Sequence, residues 1–594
     1  MTQRLRRGSR RGGGTTAIVE PKVDPKFVKA VLERGRALLG AGRDKEATQF
    51  AIRAVRLQET DETREFFIEC IKRWTVFPGA EAIRDVIVRA LRDVWAQPHE
   101  LFYVAKGLLE RDPVFGPAMR RAMTAWPRRL SLLELLGPEG LAQIAADPLL
   151  PALLERGSIL DIAIERAVTS LRAGLLHMIL RDRAAYNEKI LGLCCALAQQ
   201  CFVNEYVFDL GAEESDRVHA LCDRIRRALD AHSAISPMEI AVLAAYIPLD
   251  RLPAAELLKR SWPEEIADLL ELQISTPAAE RKLRASIPQR TPIADDMSVR
   301  VRDQYENNPF PRWVKRPASR PMAFDEWMPR CFPFSRFCNI GKGDNLGDNL
   351  DVLIAGCGTG HQSIMLAQTL PSARILAVDL SLSSLCYAKE KTRATGISNI
   401  DYAQADILEL GNLERRFDII SSSGVLHHIA DPEKAWRTLL RLLRPNGCMQ
   451  VGLYSERAHR HVFAVQRWLS ARGFSPSVED IRRARQELAD AAKTDAALAN
   501  ASSFSVFFST SEFRDLFLPT EMHRFTIPRI RRFLNENDLE FIGFVMRSDV
   551  RQQFWKRFSR QAEADLGLWD RFEAEYPDAF KGMYEFWVQK MRAA

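Results

Sequence analysis

The chain has 594 residues, enough for three or four domains of ordinary size. Its composition, 46% hydrophobic and 27% charged, is that of a soluble globular protein, and no run of 18 or more apolar residues offers a transmembrane helix. Net charge is +7, of which Arg4, Arg6, Arg7, Arg10 and Arg11 supply five; the remainder, about +2 by subtraction, argues against a dedicated nucleic-acid surface on the folded part.

Residues 1–20 form a basic tail with no apolar core behind it, and are expected to be disordered rather than a secretory signal. From Pro25 the pattern turns helical. Two amphipathic stretches, 28–39 and 45–57, flank a Gly-Ala-Gly-Arg-Asp break at 40–44. Gly35, Ala47 and Ala54 supply small residues where two helices must approach closely. The stretch 27–60 resembles one tetratricopeptide (TPR) unit, and the next 34-residue period fails at Arg89. Helices continue to residue 290. Ile164, Val168, Leu171, Leu175 and Met178 mark one buried face, and prolines at 98, 113, 117, 127, 138, 148 and 151 cut the region into short pieces. The polar pair Asn204-Glu205, inside an apolar run, either lines a groove or satisfies helix ends. Cys194, Cys195, Cys201 and Cys222 fit no metal-ligand spacing and read as small core residues; no metal site is expected. Ten scattered cysteines favour a reducing, cytoplasmic setting. The region 21–290 is expected to be an all-α interaction domain, for protein contacts or for a homo-oligomer.

A boundary is expected at 288–292. Residues 291–350 form a linker, and within it Pro309 and Pro311 forbid a regular helix and fix an extended segment with Tyr305, Phe310, Arg312 and Trp313. That segment is either a stiffened linker packed on the core or a wall of a site. Polar, glycine-bearing 341–349 leads into the next strand.

Residues 351–360, DVLIAGCGTG, join a short buried strand to a glycine turn and a helix, the front end of a nucleotide-binding α/β unit. The third glycine, Gly360, comes one residue too early for the dinucleotide fingerprint. A second buried strand, 374–380, ends in Asp379, an acid placed to accept from both ribose hydroxyls of a nucleoside. Ser381 or Ser383 is left to cap the helix behind it. A third strand, 400–407, carries Asp406; a fourth, 417–423, is followed by Val425–Ile429 with His427 and His428; a fifth spans 448–454.

The early third glycine, the two strand-tip acids and the segment after the fourth strand resemble the class I S-adenosylmethionine-dependent methyltransferases. The resemblance covers 351–454 and implies an α/β, Rossmann-like core between a large all-α N-terminal domain and a helical C-terminal insertion. It implies S-adenosylmethionine as cofactor, held by Ala355, Gly356, Cys357, Gly358, Gly360, Asp379, Leu380, Asp406, Ile407 and Ser423, with Asp406 accepting from the adenine amino group between Ala405 and Ile407. In this family the residues before the first strand often fold over the cofactor, making Tyr305 a candidate at the acceptor side. His427 and His428 are candidates for a base or a pocket wall. Residues 455–594 are read as a helical insertion, a closing strand over 539–546, and a C-terminal cap made of an aromatic-rich helix pair. The insertion is a usual place for acceptor recognition. In it, Arg514, Asp515, Glu521, His523 and Arg524 read as a buried ion-pair network or as substrate-facing groups. The module order resembles a bacterial group of TPR-fused methyltransferases and is distantly similar to bacterial methyltransferases acting on lysines of outer-membrane proteins. The expected activity is methyl transfer to a protein delivered by the helical half. A small-molecule methyltransferase with a dimerisation domain is the alternative, and a non-catalytic scaffold the second.

Overall fold

The computed structural model describes residues 24–591, apart from 75–78, 158, 182–186, 314–316, 318 and 334–348. The basic tail and most of 341–349 lie outside the described residues. Contacts divide the chain into a unit that runs through Ile83 and one from Arg84 onward.

In the first unit, Pro25–Gly40 and Asp44–Leu57 pair as helices, and Asp61–Ile71 follows. Gly35 is a close-approach position: a Cβ there would lie 2.6 Å from the ring of Phe66. Ala47, Ala51 and Ala54 are fully buried, as small residues between packed helices should be.

The second unit is organised on a seven-stranded sheet in the order β3-β2-β1-β4-β5-β7-β6. β1 (Asp351–Ala355), β2 (Arg374–Asp379), β3 (Ile400–Gln404), β4 (Phe417–Ser423) and β5 (Leu443–Leu453) run parallel. β1 is buried on both faces, as a parallel central strand must be. The two-residue period sorts its side chains: Leu353 and Ala355 enter one core, Val352 and Ile354 the other. Strand order reverses between β1 and β4, which opens a crevice beyond their carboxyl ends. At the opposite end of β1, Asp351 accepts from Arg374, Arg415 and Arg444. Burial alone would raise its pKa, but these three guanidiniums hold it well below the carboxylate range.

β6 (Leu539–Phe544) is antiparallel, as expected of 539–546. The C-terminal cap departs from the helix pair read in the sequence. Leu566–Glu575 is a helix, but Tyr584–Lys590 is β7, inserted antiparallel between β5 and β6. Its alternation explains the outcome: Tyr584, Phe586 and Val588 fill one core and Trp587 the other. An unfilled slot between two strands leaves ladder groups without partners, and that outweighs helix propensity.

The expected boundary at 288–292 is also part of the core. Gln404 N–H donates to Pro288 O at 2.9 Å, Arg290 N–H to Gln404 O at 2.8 Å, and Asp406 N–H to Thr291 Oγ1 at 2.7 Å. The segment thus covers the open edge of β3, satisfying backbone groups that would otherwise be exposed.

The helical part from Arg84 is built into the C-terminal insertion. Arg485, on the insertion helix Val478–Ala491, is fully buried. Its guanidinium donates to Glu165 Oε2 at 2.6 Å and to the carbonyls of Val207, at 2.9 Å, and Phe507. Cys194, Cys195 and Cys201 pack in the helix Glu188–Val203 as core residues. No helix among the described residues is long and apolar enough to cross a membrane.

Candidate active site

A cavity of about 520 Å³ opens at the carboxyl ends of the strands, where the order reverses. The glycine turn forms its floor. Gly356 N–H and Cys357 N–H donate to Val378 O, which ties the turn to β2. Gly356 has φ +80°, and a Cβ would sit 2.6 Å from Val425 Cγ1. Only glycine takes that backbone conformation without strain and leaves that space. Asp379 stands beside the turn: Oδ2 accepts from Gly358 N–H at 2.8 Å and Oδ1 from Ser381 N–H at 2.9 Å. Burial pushes its carboxyl pKa up, opposed by these backbone donors. Ser381 caps the following helix, as its spacing suggested. Asp406 is almost fully buried and accepts from Leu408 N–H at 2.9 Å.

Eight of the ten residues expected around a cofactor line this cavity: Gly356, Cys357, Gly358, Asp379, Leu380, Asp406, Ile407 and Ser423. The lining does not include Ala355 or Gly360. Ala355 is buried in β1. Gly360, at φ +82°, caps the helix His361–Thr369, and a Cβ would meet Ala388 Cβ at 2.7 Å. It sets helix packing rather than a ligand contact.

Tyr305 sits on the cavity wall, but not in an extended segment. It lies on a helix, Asp296–Asn307, started by Asp295, whose carboxylate accepts from Met297 and Ser298 N–H. The helix stops two residues before Pro309, as proline requires. Residues 308–313 then strap across the glycine turn. Thr359 donates its hydroxyl to Pro311 O, and Trp313 Nε1 donates to Thr359 O at 3.3 Å. Glu306 accepts from Ser383 N–H at 2.9 Å, joining the Tyr305 helix to the loop after Asp379.

The two histidines part company. His428 lines the cavity, and its Nδ1 lies 2.7 Å from Glu521 O. His427 does not line it. Fully buried, its ring packs 4.1 Å from Tyr454 and 4.4 Å from His428, and burial keeps it neutral, its pKa far below the usual range. It is a packing residue rather than a base.

The remaining wall comes from distant sequence. Tyr454 follows β5 directly; Glu585 comes from β7 and Met583 from the turn before it. Asp515, on the helix Thr510–Phe517, accepts the hydroxyl of Tyr305 across 210 residues of chain. Of the two readings of the polar cluster over 514–524, a buried ion-pair network does not form: the contact of His523 Nε2 with Glu521 Oε1, at 3.9 Å, is partly exposed. Arg514 Nε donates to Pro476 O and Arg524 lies over the ring of Phe463, leaving Asp515 to the cavity.

The helical half holds the Asp515 helix in place. Asn204 O accepts Thr510 N–H at 3.2 Å, and Glu205 Oε2 accepts Ser511 N–H at 2.7 Å. Glu205 also pairs with Arg312 of the strap at 3.1 Å. The Asn204-Glu205 pair therefore satisfies a helix start, one that belongs to the insertion. Glu205 has φ +57°, a left-handed conformation that non-glycine residues keep only where surroundings enforce it.

Glu512 shares this junction. Burial, then the charges of Glu205 and Asp515, push its carboxyl up to about 7, above the ordinary glutamate value of 4.5. The native state therefore holds more protons than the unfolded chain between those values, and stability declines as pH rises through that window. Glu512→Gln is expected to raise the melting temperature at pH 8 and to leave it unchanged at pH 4, as read by thermal unfolding of both proteins.

Four acids line the cavity: Asp379, Asp406, Asp515 and Glu585. No lysine or arginine among the described residues does. Such a lining suits a ligand with a nucleoside and a positive charge. The half-buried Asp379 beside the turn fits a ribose, and the helix start at His361 presents N–H groups to a carboxylate.

Residues 346–500 match the family model described as a methyltransferase domain. An uncharacterized protein of Synechococcus sp. is 30% identical over 176 residues, 29% of this chain and 41% of that protein. Phosphoethanolamine N-methyltransferase 1 of Arabidopsis thaliana is 28% identical over 152 residues, 25% of this chain and 30% of that enzyme. Among solved structures, PKMT2 from Rickettsia typhi is 16% identical, with 46% of this chain and 54% of that one covered and a TM-score of 0.35. The chain spans less than half the length of these two curated relatives. Residues 346–500 are a methyltransferase domain, a family that uses S-adenosylmethionine, and the cavity stands at the carboxyl ends of its strands.

Proposed function

We propose that the whole chain is an S-adenosylmethionine-dependent methyltransferase whose acceptor is a protein side chain. The observation that carries the donor half is the convergence of the glycine turn, Asp379 and Asp406 on one cavity at the reversal of strand order. When bound, the donor supplies a methyl group already activated by its sulfonium.

The chain's own residues supply position and exclusion of water. Asp379 takes the ribose, and Asp406, with Ala405 and Ile407, takes the adenine. The strap at 308–313 closes over the glycine turn, and Tyr305 and Asp515 bound the far side. Alignment of acceptor, methyl carbon and sulfur in a closed site is a large part of the acceleration available to such a transfer.

Two features support a protein acceptor. A nucleoside joined to an amino acid takes up most of a 520 Å³ cavity, and what remains admits a narrow group. The helical half is fixed to the helix that carries Asp515, so a partner bound there is held near the cavity mouth. A phosphate-bearing acceptor of the kind named for the Arabidopsis relative finds no lysine or arginine in the described lining.

The test is methyl transfer from labelled S-adenosylmethionine into a cell lysate, separated into protein and metabolite pools. Label in protein is expected. Label confined to metabolites would overturn the protein acceptor, and no transferred label would overturn the activity.

A further inference from the structure

We propose that the wall formed by Asp515, Tyr305, Tyr454 and His428 is an ammonium subsite, so that the acceptor atom is an amine nitrogen, bound as a cation and deprotonated by His428. The proposal rests on the donor reading above and concerns the acceptor side of the same cavity.

Asp515 is 6% exposed, and the little it exposes is in the cavity lining. Tyr305 donates to its Oδ1, while no described residue donates to Oδ2. Asp515 opens only to the cavity, so a cation entering there can meet the carboxylate with a charge-assisted hydrogen bond. Burial and the neighbouring Asp515 raise the Tyr305 pKa well above its usual value, so the phenol keeps its proton and goes on donating to Oδ1. Aromatic surfaces flank the carboxylate: Tyr305 stacks on Phe310 at 6.5 Å, and Tyr454 lines the same cavity. An acidic lining with no lysine or arginine among the described residues favours an ammonium over a carboxylate or phosphate.

His428 supplies the proton acceptor by a tautomer argument. Its Nδ1 lies 2.7 Å from the carbonyl oxygen of Glu521. A carbonyl can only accept, so Nδ1 carries the hydrogen, and in the neutral ring Nε2 holds the lone pair. Nε2 has no hydrogen-bond partner among the described residues, and the ring lines the cavity. The reaction then balances. The ammonium passes one proton to His428 Nε2. The freed lone pair forms the nitrogen–carbon bond as the carbon–sulfur bond breaks, its electron pair going to sulfur. The N-methylated product keeps the positive charge.

The experiment is calorimetric titration of the full chain, saturated with S-adenosylhomocysteine, with n-butylamine, n-butanol and butyrate near neutral pH. Butylammonium is expected to bind and the other two are not. Asp515→Asn is expected to weaken butylammonium at least tenfold and to leave S-adenosylhomocysteine affinity within twofold. His428→Asn keeps an N–H for Glu521 O; it is expected to retain butylammonium binding while turnover falls about 100-fold, the scale of general-base catalysis. Butylammonium binding unaffected by Asp515→Asn, or butyrate bound equally well, would overturn the subsite. His428→Asn turnover at the wild-type level would overturn the base. Failure of S-adenosylhomocysteine itself to bind would instead overturn the donor reading, and this proposal with it.

Discussion

Replacing Asp379 by alanine is expected to weaken S-adenosylhomocysteine binding by about 100-fold or more, the largest effect of any single change on the donor side. The carboxylate has two tasks. Its oxygens hold Gly358 N–H and Ser381 N–H, which keeps the glycine turn and the next helix in register. Its remaining lone pairs face the cavity, where two ribose hydroxyls can be answered. A hydrogen bond to a charged group contributes about 1.5–3 kcal/mol, so two of them give about 3 kcal/mol or more before any loosening of the turn. Calorimetric titration of both proteins checks this. Asp379→Asn separates the two tasks: it keeps an acceptor oxygen, and an intermediate loss is expected. Affinity unchanged in the alanine variant would remove Asp379 from the site.

The largest expected effect on stability belongs to Arg485→Met. Arg485 and Glu165 are fully and almost fully buried, and their bond joins the helix Val478–Ala491 of the insertion to the helix Ile162–Arg181 of the helical half. Removing one partner leaves a carboxylate in the interior together with the carbonyls of Val207 and Phe507. Breaking a buried pair in this way costs about 3–5 kcal/mol. The double variant Glu165→Met with Arg485→Met is expected to recover much of that loss, because no charge is stranded. Urea unfolding of the four proteins closes the cycle. If the single and double variants lose the same stability, Glu165 is not the group stranded by the loss of Arg485. Because this junction also seats the Asp515 helix, Arg485→Met is expected to weaken acceptor binding more than donor binding.

These two sites differ in how far they were legible in the chain. Asp379 was readable because the signal is local. A buried apolar run, a glycine turn and an acid at the next strand tip follow within 30 residues, and each is dictated by backbone geometry. The first five strands were legible for the same reason, although β5 begins at Leu443 rather than at the expected 448. Arg485 was not, because a lone arginine in an amphipathic stretch reads as a solvated face until the partner helix is known. Tyr305 was legible as a wall residue but not its helix, which Asp295 starts and Pro309 stops. Asp515 was noticed only as one polar residue among phenylalanines. Its meeting with Tyr305 across 210 residues has no sequence signal. Residues 584–590 alternate, but they continue an aromatic-rich stretch with no glycine or proline among them and so also fit the expected helix pair. Only the open slot between β5 and β6 decides it. Gly360 looked like a ligand contact because the motif places it there, and the packing against Ala388 reassigns it. His427 and His428 are chemically identical in sequence, and a single residue step on a tight turn puts one in the cavity and one behind it.

The account turns on the claim that the glycine turn, Asp379 and Asp406 form a site for a nucleoside sulfonium rather than for a dinucleotide. Parallel titrations of the full chain with S-adenosylhomocysteine and with NADH test it most directly. One S-adenosylhomocysteine per chain is predicted, with no saturable NADH binding. Saturable NADH binding without S-adenosylhomocysteine binding would contradict it.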